Sequence, residues 1–213
     1  MNIKQNYLKH AIVLFLLLLL MQPGRAWAAY ENVEFSSLTN HDGLTNSQVG
    51  AILKDTRGYI WFGTQSGLCR FDGFRMKTFY YSNTDDKSLP NNSVDELQQD
   101  YDGNIWVHTS VGYSIYKYDE EQFDRKPEEW LKSIHVQGPP FKLLIDKDKN
   151  MWIAVYGQGL YYHNAKTRNT YLFKFTKKAQ KGCLKEGNIS KITEVDGDAL
   201  ITYSDGTLCR VNG

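Results

Sequence analysis

Asp55-Thr56-Arg57-Gly58-Tyr59-Ile60-Trp61 recurs as Asp100-Tyr101-Asp102-Gly103-Asn104-Ile105-Trp106 and again as Asp146-Lys147-Asp148-Lys149-Asn150-Met151-Trp152. The tryptophans are 45 and 46 residues apart. A weaker fourth copy, Glu194-Val195-Asp196-Gly197-Asp198-Ala199-Leu200, puts leucine in the tryptophan's place 48 residues later. Each copy is followed by a glycine: Gly67, Gly112, Gly159 and Gly206. Self-similarity at a period of roughly 20 to 50 residues is the signature of a repeat architecture.

Each copy reads as short strands parted by turns. In the first, strands are expected over 49–54, 59–64, 68–71 and 76–81, with Asp72-Gly73 as a hairpin signal between the last two. Helical periodicity is absent except for a short turn at 127–133, opened by Pro127-Glu128-Glu129. Four antiparallel strands in a repeat of this length make one propeller blade. A single blade cannot cover its own faces, so its apolar side chains must be buried by the next one. Trp61, Trp106 and Trp152 are then the wedges between blades.

The fold expected is all-β, about four blades of four antiparallel strands in an incomplete or small ring. The blades run approximately 49–93, 94–140, 141–188 and 189–213, with 33–39 as an extra outer strand. That strand and the three strands of the last copy together make up a fourth blade, so a closed ring of four is one arrangement. An incomplete ring is the preferred one, because degraded wedges would not close a tight circle.

Residues 1–28 differ in kind. Lys4, Lys9 and His10 precede the apolar run from Ala11 to Met21, and Ala26-Trp27-Ala28 follows, the layout of a secretory signal peptide cleaved after Ala28. The apolar core of 11 residues falls short of the bilayer-spanning length, which is about 20. The mature chain is therefore expected to be periplasmic, with no membrane span. Lys and Arg number 25 against 24 Asp and Glu, so no net field directs the chain to nucleic acid. Cys69, Cys183 and Cys209 are an odd set with no metal-ligand spacing, and no cofactor is expected.

The run Phe35-Ser36-Ser37-Leu38, Gly43-Leu44, Val49 to Asp55, Gly58 to Thr64, Gly67-Leu68 and Arg70-Phe71-Asp72 closely resembles the two-component regulator propeller repeat. Ser88-Leu89-Pro90-Asn91-Asn92-Ser93-Val94 is similar to its linker into the next blade. The resemblance implies the periplasmic sensor region of a hybrid two-component system, which detects oligosaccharides and signals to a kinase. No kinase part is found in this chain. Departures lie at His108, where the first copy has Gly63, at Lys149, where the others have glycine, and at Leu200.

The Asp100 and Asp146 turns are similar to the first half of a calcium loop, but the twelfth-position carboxylate is missing, and turn-forming Asp and Asn explain them better. Ser, His and Asp show no nucleophile-base spacing, so no catalytic residue is assigned and an enzyme is the least favoured reading. One end of the blades gathers the second-to-third-strand turns and the blade linkers. There Tyr156, Gln65, Gln158, Asn92 and Asp205 are the candidates for holding an oligosaccharide, by aromatic stacking and by bonds to hydroxyls. The alternatives are an interaction scaffold, docking another propeller chain or itself, and a non-functional truncated product.

Overall fold

A computed structural model of the chain describes residues 37–175, 184–185 and 187–212. The expected signal peptide, residues 33–36 of the expected outer strand, Cys183 and most of the lysine-rich stretch 174–185 lie outside the described residues. Residues 37–39 form no strand and lead into a 3-10 turn at Asn40–Asp42.

The chain is all-β. Blade 1 comprises β1 (Val49–Lys54), β2 (Ile60–Thr64), β3 (Gly67–Phe71) and β4 (Met76–Phe79). Blade 2 comprises β5 (Val94–Gln99), β6 (Ile105–Thr109), β7 (Gly112–Lys117) and β8 (Gln122–Asp124), followed by helix α1 (Pro127–Ser133). Blade 3 comprises β9 (Pro140–Ile145), β10 (Met151–Val155), β11 (Gly159–His163) and β12 (Thr170–Lys174). Blade 4 has three described strands, β13 (Ile189–Val195), β14 (Asp198–Tyr203) and β15 (Leu208–Val211). Every sheet is an antiparallel meander in chain order. All four carry a bulge at the same point, where the innermost strand meets the end of the second. Such bulges increase local twist, which is what turns a flat sheet into a blade.

The repeated aspartate makes the first turn. Asp55 Oδ1 accepts the amides of Arg57 and Tyr59 at 2.9 and 3.0 Å, Asp100 those of Asp102 and Asn104 at 3.0 and 2.9 Å, and Asp146 those of Asp148 and Asn150, both at 2.9 Å. Gly58 and Gly103 hold the positive φ these turns need, and Lys149 adopts it in blade 3. The carboxylates are thus spent on backbone amides. Among the described residues no cluster has the makings of a metal site. Blade 4 drops this device for a two-residue hairpin, Asp196-Gly197, with positive φ at both positions.

Strand register shows which way each wedge faces. Trp61 packs against blade 2 with Leu97, Ile105, Tyr116 and Phe123. Trp106 faces blade 3 and α1, beside Leu143, Ile153 and Leu131. Trp152 faces blade 4, beside Ile192, Ile201 and Val211. The cores are therefore stacked between blades, and each blade gives its indole to the next. Leu200 holds the same register place in blade 4. Among the described residues no core cluster joins blade 4 back to blade 1. The near face of blade 1 is covered instead by Leu38 and Leu44, which sit on Phe62, Cys69 and Met76. Cys69 is buried and Cys209 is half-buried.

Candidate functional site

The residue two places after each indole lies on the same face, against the first turn of the next blade's inner strand. In blade 1 it is Gly63, and a Cβ there would come within 2.6 Å of Val94 Cγ1. Blade 3 has Ala154 and blade 2 has His108. The inner strands follow this order of size, closest between blades 1 and 2, wider between 3 and 4, and widest between 2 and 3. The imidazole of His108 stands where backbone would otherwise approach, and a cleft opens there. Its Nδ1 lies 2.5 Å from Asp95 Oδ1.

The cleft has a volume of about 380 Å³ and is lined by His108, Val111 and Tyr113 from blade 2, Pro127 and Glu128 at the start of α1, and Pro140, Phe141 and Tyr156 from blade 3. Tyr156, in the β10–β11 turn, is 70% exposed. It stacks on Phe141 with ring centroids 4.1 Å apart and planes 22° apart. One wall is therefore a two-ring aromatic platform open to solvent.

The other polar groups divide into spent and available ones. Tyr113 donates its hydroxyl to Glu96 at 2.8 Å and accepts from the Leu143 amide at 3.1 Å. Burial, reinforced by Glu96, pushes its pKa far upward, so it stays a neutral structural tie. Arg125 also borders the cleft, but its guanidinium is bound to the carbonyls of Ser88, Asp85 and Leu89 at 2.9, 2.9 and 3.2 Å. It closes the 82–89 loop rather than offering a cation. Glu128 and His108, whose Nδ1 is held by Asp95, remain as polar groups lining the cleft.

Of the residues picked from sequence, only Tyr156 lines this cleft. Gln65 Oε1 accepts from Ser93 Oγ at 2.8 Å, and Asn92 Oδ1 accepts from the Tyr81 amide at 2.7 Å. Gln158 donates to the Gln137 carbonyl at 2.8 Å and accepts from the Tyr161 hydroxyl. Asp205 pairs with Lys185, whose ammonium holds the carboxyl well below the usual range. These four tie turns and linkers together, Gln65 and Asn92 between blades 1 and 2, Gln158 in blade 3 and Asp205 in blade 4. His108 and Phe141 were not picked. His108 carried a signal, as the departure from the glycine of the first copy, whereas Phe141 carried none.

A family model described as "Two component regulator propeller" matches residues 43–66 and 88–110. The matched residues are the first two strands of blades 1 and 2 with the segments that lead into them, so these two blades are similar to that repeat. The chain is 41% identical over 61 residues to Histidine kinase P4 of Formosa agariphila, a match covering 29% of this chain and 4% of that protein. The extracellular domain of a hybrid two-component system from B. thetaiotaomicron superposes with a TM-score of 0.57 at 24% identity. That match covers 81% of this chain and 24% of the solved one, and it shows the propeller fold. The chain thus spans a small part of the proteins that carry similar propeller repeats.

Proposed function

We propose that this chain is an exported, non-catalytic ligand-sensing propeller of the two-component kind, and that the cleft between blades 2 and 3 takes an oligosaccharide. The observation that carries this reading is the exposed Tyr156 stacked on Phe141. A pyranose presents an apolar C–H face that lies well on such a platform, while its hydroxyls need bonds at the edge. His108 and Glu128 supply them. The leader at 1–28 and the propeller repeats support export and sensing. Among the described residues no helix is long and apolar enough to cross a membrane. No nucleophile, base and orienting group meet in the cleft, which favours binding over turnover.

Titration of the secreted chain with a panel of neutral and acidic oligosaccharides, followed by calorimetry, tests the proposal. Tyr156→Ala is expected to weaken a bound sugar at least tenfold while leaving the unfolding midpoint unchanged. His108→Gly, which removes the imidazole from the gap, is expected to weaken it as well. A folded chain that binds none of the panel, or binds equally well without Tyr156, overturns it.

A further inference from the structure

We infer that the preferred sugar of this cleft carries a free primary amine, whose ammonium lies on the Tyr156–Phe141 rings and donates to Glu128, an inference that rests on the oligosaccharide reading above. Elsewhere in the molecule, tyrosine faces are capped by the chain's own cations. The guanidinium of Arg57 lies 4.0 Å from the ring centre of Tyr118, that of Arg70 4.6 Å from Tyr59 and that of Arg168 3.7 Å from Tyr101. Lys185 Nζ lies 4.9 Å from the Tyr203 ring. The negative face of an aromatic ring attracts a cation held within about 6 Å of its centre. Phe141 and Tyr156 stack on each other, yet among the described residues no lysine or arginine caps them.

The polar groups around those rings are mainly acceptors. A carboxylate can only accept, so the 2.5 Å contact between Asp95 Oδ1 and His108 Nδ1 puts a proton on Nδ1 and leaves Nε2 of the neutral ring as an acceptor. Glu128 adds a carboxylate that makes no hydrogen bond or ion pair among the described residues. Pro127, Pro139 and Pro140 line the cleft and have no N–H to give. The hydroxyl proton of Tyr113 is committed to Glu96. Arg125 turns Nε and Nη2 into the 82–89 loop.

An ammonium has three donors and no acceptor, which complements this set. A hydroxyl both gives and takes, and an acetamide carries no charge. A uronate brings acceptors to acceptors and sets its charge against that of Glu128. The chain as a whole has a net charge of only +1, so a preference for a cationic sugar has to come from this local arrangement.

Four tetrasaccharides on one backbone test the inference: cellotetraose, its acetamido counterpart from chitin, the deacetylated chitosan tetramer, and cellotetraose oxidised to uronic acids. Calorimetry of the full chain is expected to find the deacetylated tetramer bound about tenfold tighter than the hydroxyl and acetamido forms, and the oxidised form weakest. Glu128→Gln, half-buried on the first turn of α1, is expected to erase most of that preference with unchanged circular dichroism. Tyr156→Leu, which keeps an apolar side chain but has no ring face, is expected to do the same. Tetramers that bind equally, with binding lost in Tyr156→Ala, keep the sugar site and overturn the amine. A folded chain that binds none of the four overturns this inference together with the reading it rests on. Tightest binding of the oxidised form, or a preference that survives Glu128→Gln, also overturns it. So does tetralysine bound as tightly as the deacetylated tetramer, since the cleft then reads an ammonium on a peptide.

Discussion

Blades 1 and 2 hold their indoles at both ends, and blade 3 holds its indole only by packing. The Trp61 N–H donates to Asp55 at 2.7 Å and the Trp106 N–H to Asp100 at 2.9 Å, so the residue that shapes the turn also anchors the wedge six residues later. In blade 3 the same aspartate is present and its turn is intact, yet Trp152 Nε1 is buried without a partner. The ring instead leans on Tyr162, centroids 4.4 Å apart. His163 Nε2 is the other buried side-chain atom without a partner among the described residues, and it too belongs to blade 3. The family model matches residues in blades 1 and 2 only. Turn and wedge are therefore separable: a blade persists through burial when the bond that couples them is lost, but it leaves polar groups unmatched.

The largest effect expected is from removing a wedge altogether. Trp106→Ala and Trp152→Ala should each destabilise by about 3–5 kcal/mol, because both rings are fully buried and packing is common to the two. Urea denaturation that found the two costs far apart would break the idea that packing is shared. Replacement by phenylalanine sharpens the contrast. Trp106→Phe strips a donor from the buried Asp100 and should cost about 1–3 kcal/mol beyond the change in volume. Trp152→Phe discards a donor that has no acceptor, so that extra cost should be missing. Equal losses for the two phenylalanine variants would show the missing bond to be immaterial.

The smallest effect concerns His163. Burial lowers its pKa from the ordinary value of 6.5, so the folded state binds a proton less readily than the unfolded one. Its contribution is complete above the unfolded value and is lost as pH falls through the lower folded value, at no more than about 1.4 kcal/mol per pH unit. His163→Phe should flatten the difference between unfolding midpoints measured at neutral and at acid pH. An unchanged difference would place the acid sensitivity elsewhere. Asp100 works in the opposite direction, since burial raises its pKa and its cost grows as it ionises.

Much of the blade was legible because its bonds are short in sequence. Asp55 reaches Trp61, and Thr64 Oγ1 donates to the Gly67 carbonyl at 2.8 Å. Gly159 shows the same economy, since a Cβ there would meet the Phe173 carbonyl oxygen of the neighbouring strand at 2.1 Å. Gly206 lies inside the turn, and Thr207 takes the pairing position that Gly67 holds in blade 1. The site was less legible. Tyr156 could be placed on the binding end by counting strands, but its stacking on Phe141 joins the end of β10 to the start of β9 within blade 3, and the cleft it shares with His108 lies between two sheets.

The period, the aspartate turns and the recurring indole are enough to settle an all-β array of about four blades, since every interaction that shapes one blade falls within a single repeat. Chain order alone leaves open how far apart successive blades stand. That distance is set where side chains more than 30 residues apart meet, by glycine, alanine or histidine at one equivalent position. Close approach between sheets is a matter of volume at their contact, and only the folded molecule brings His108 against Pro140 to open the cleft.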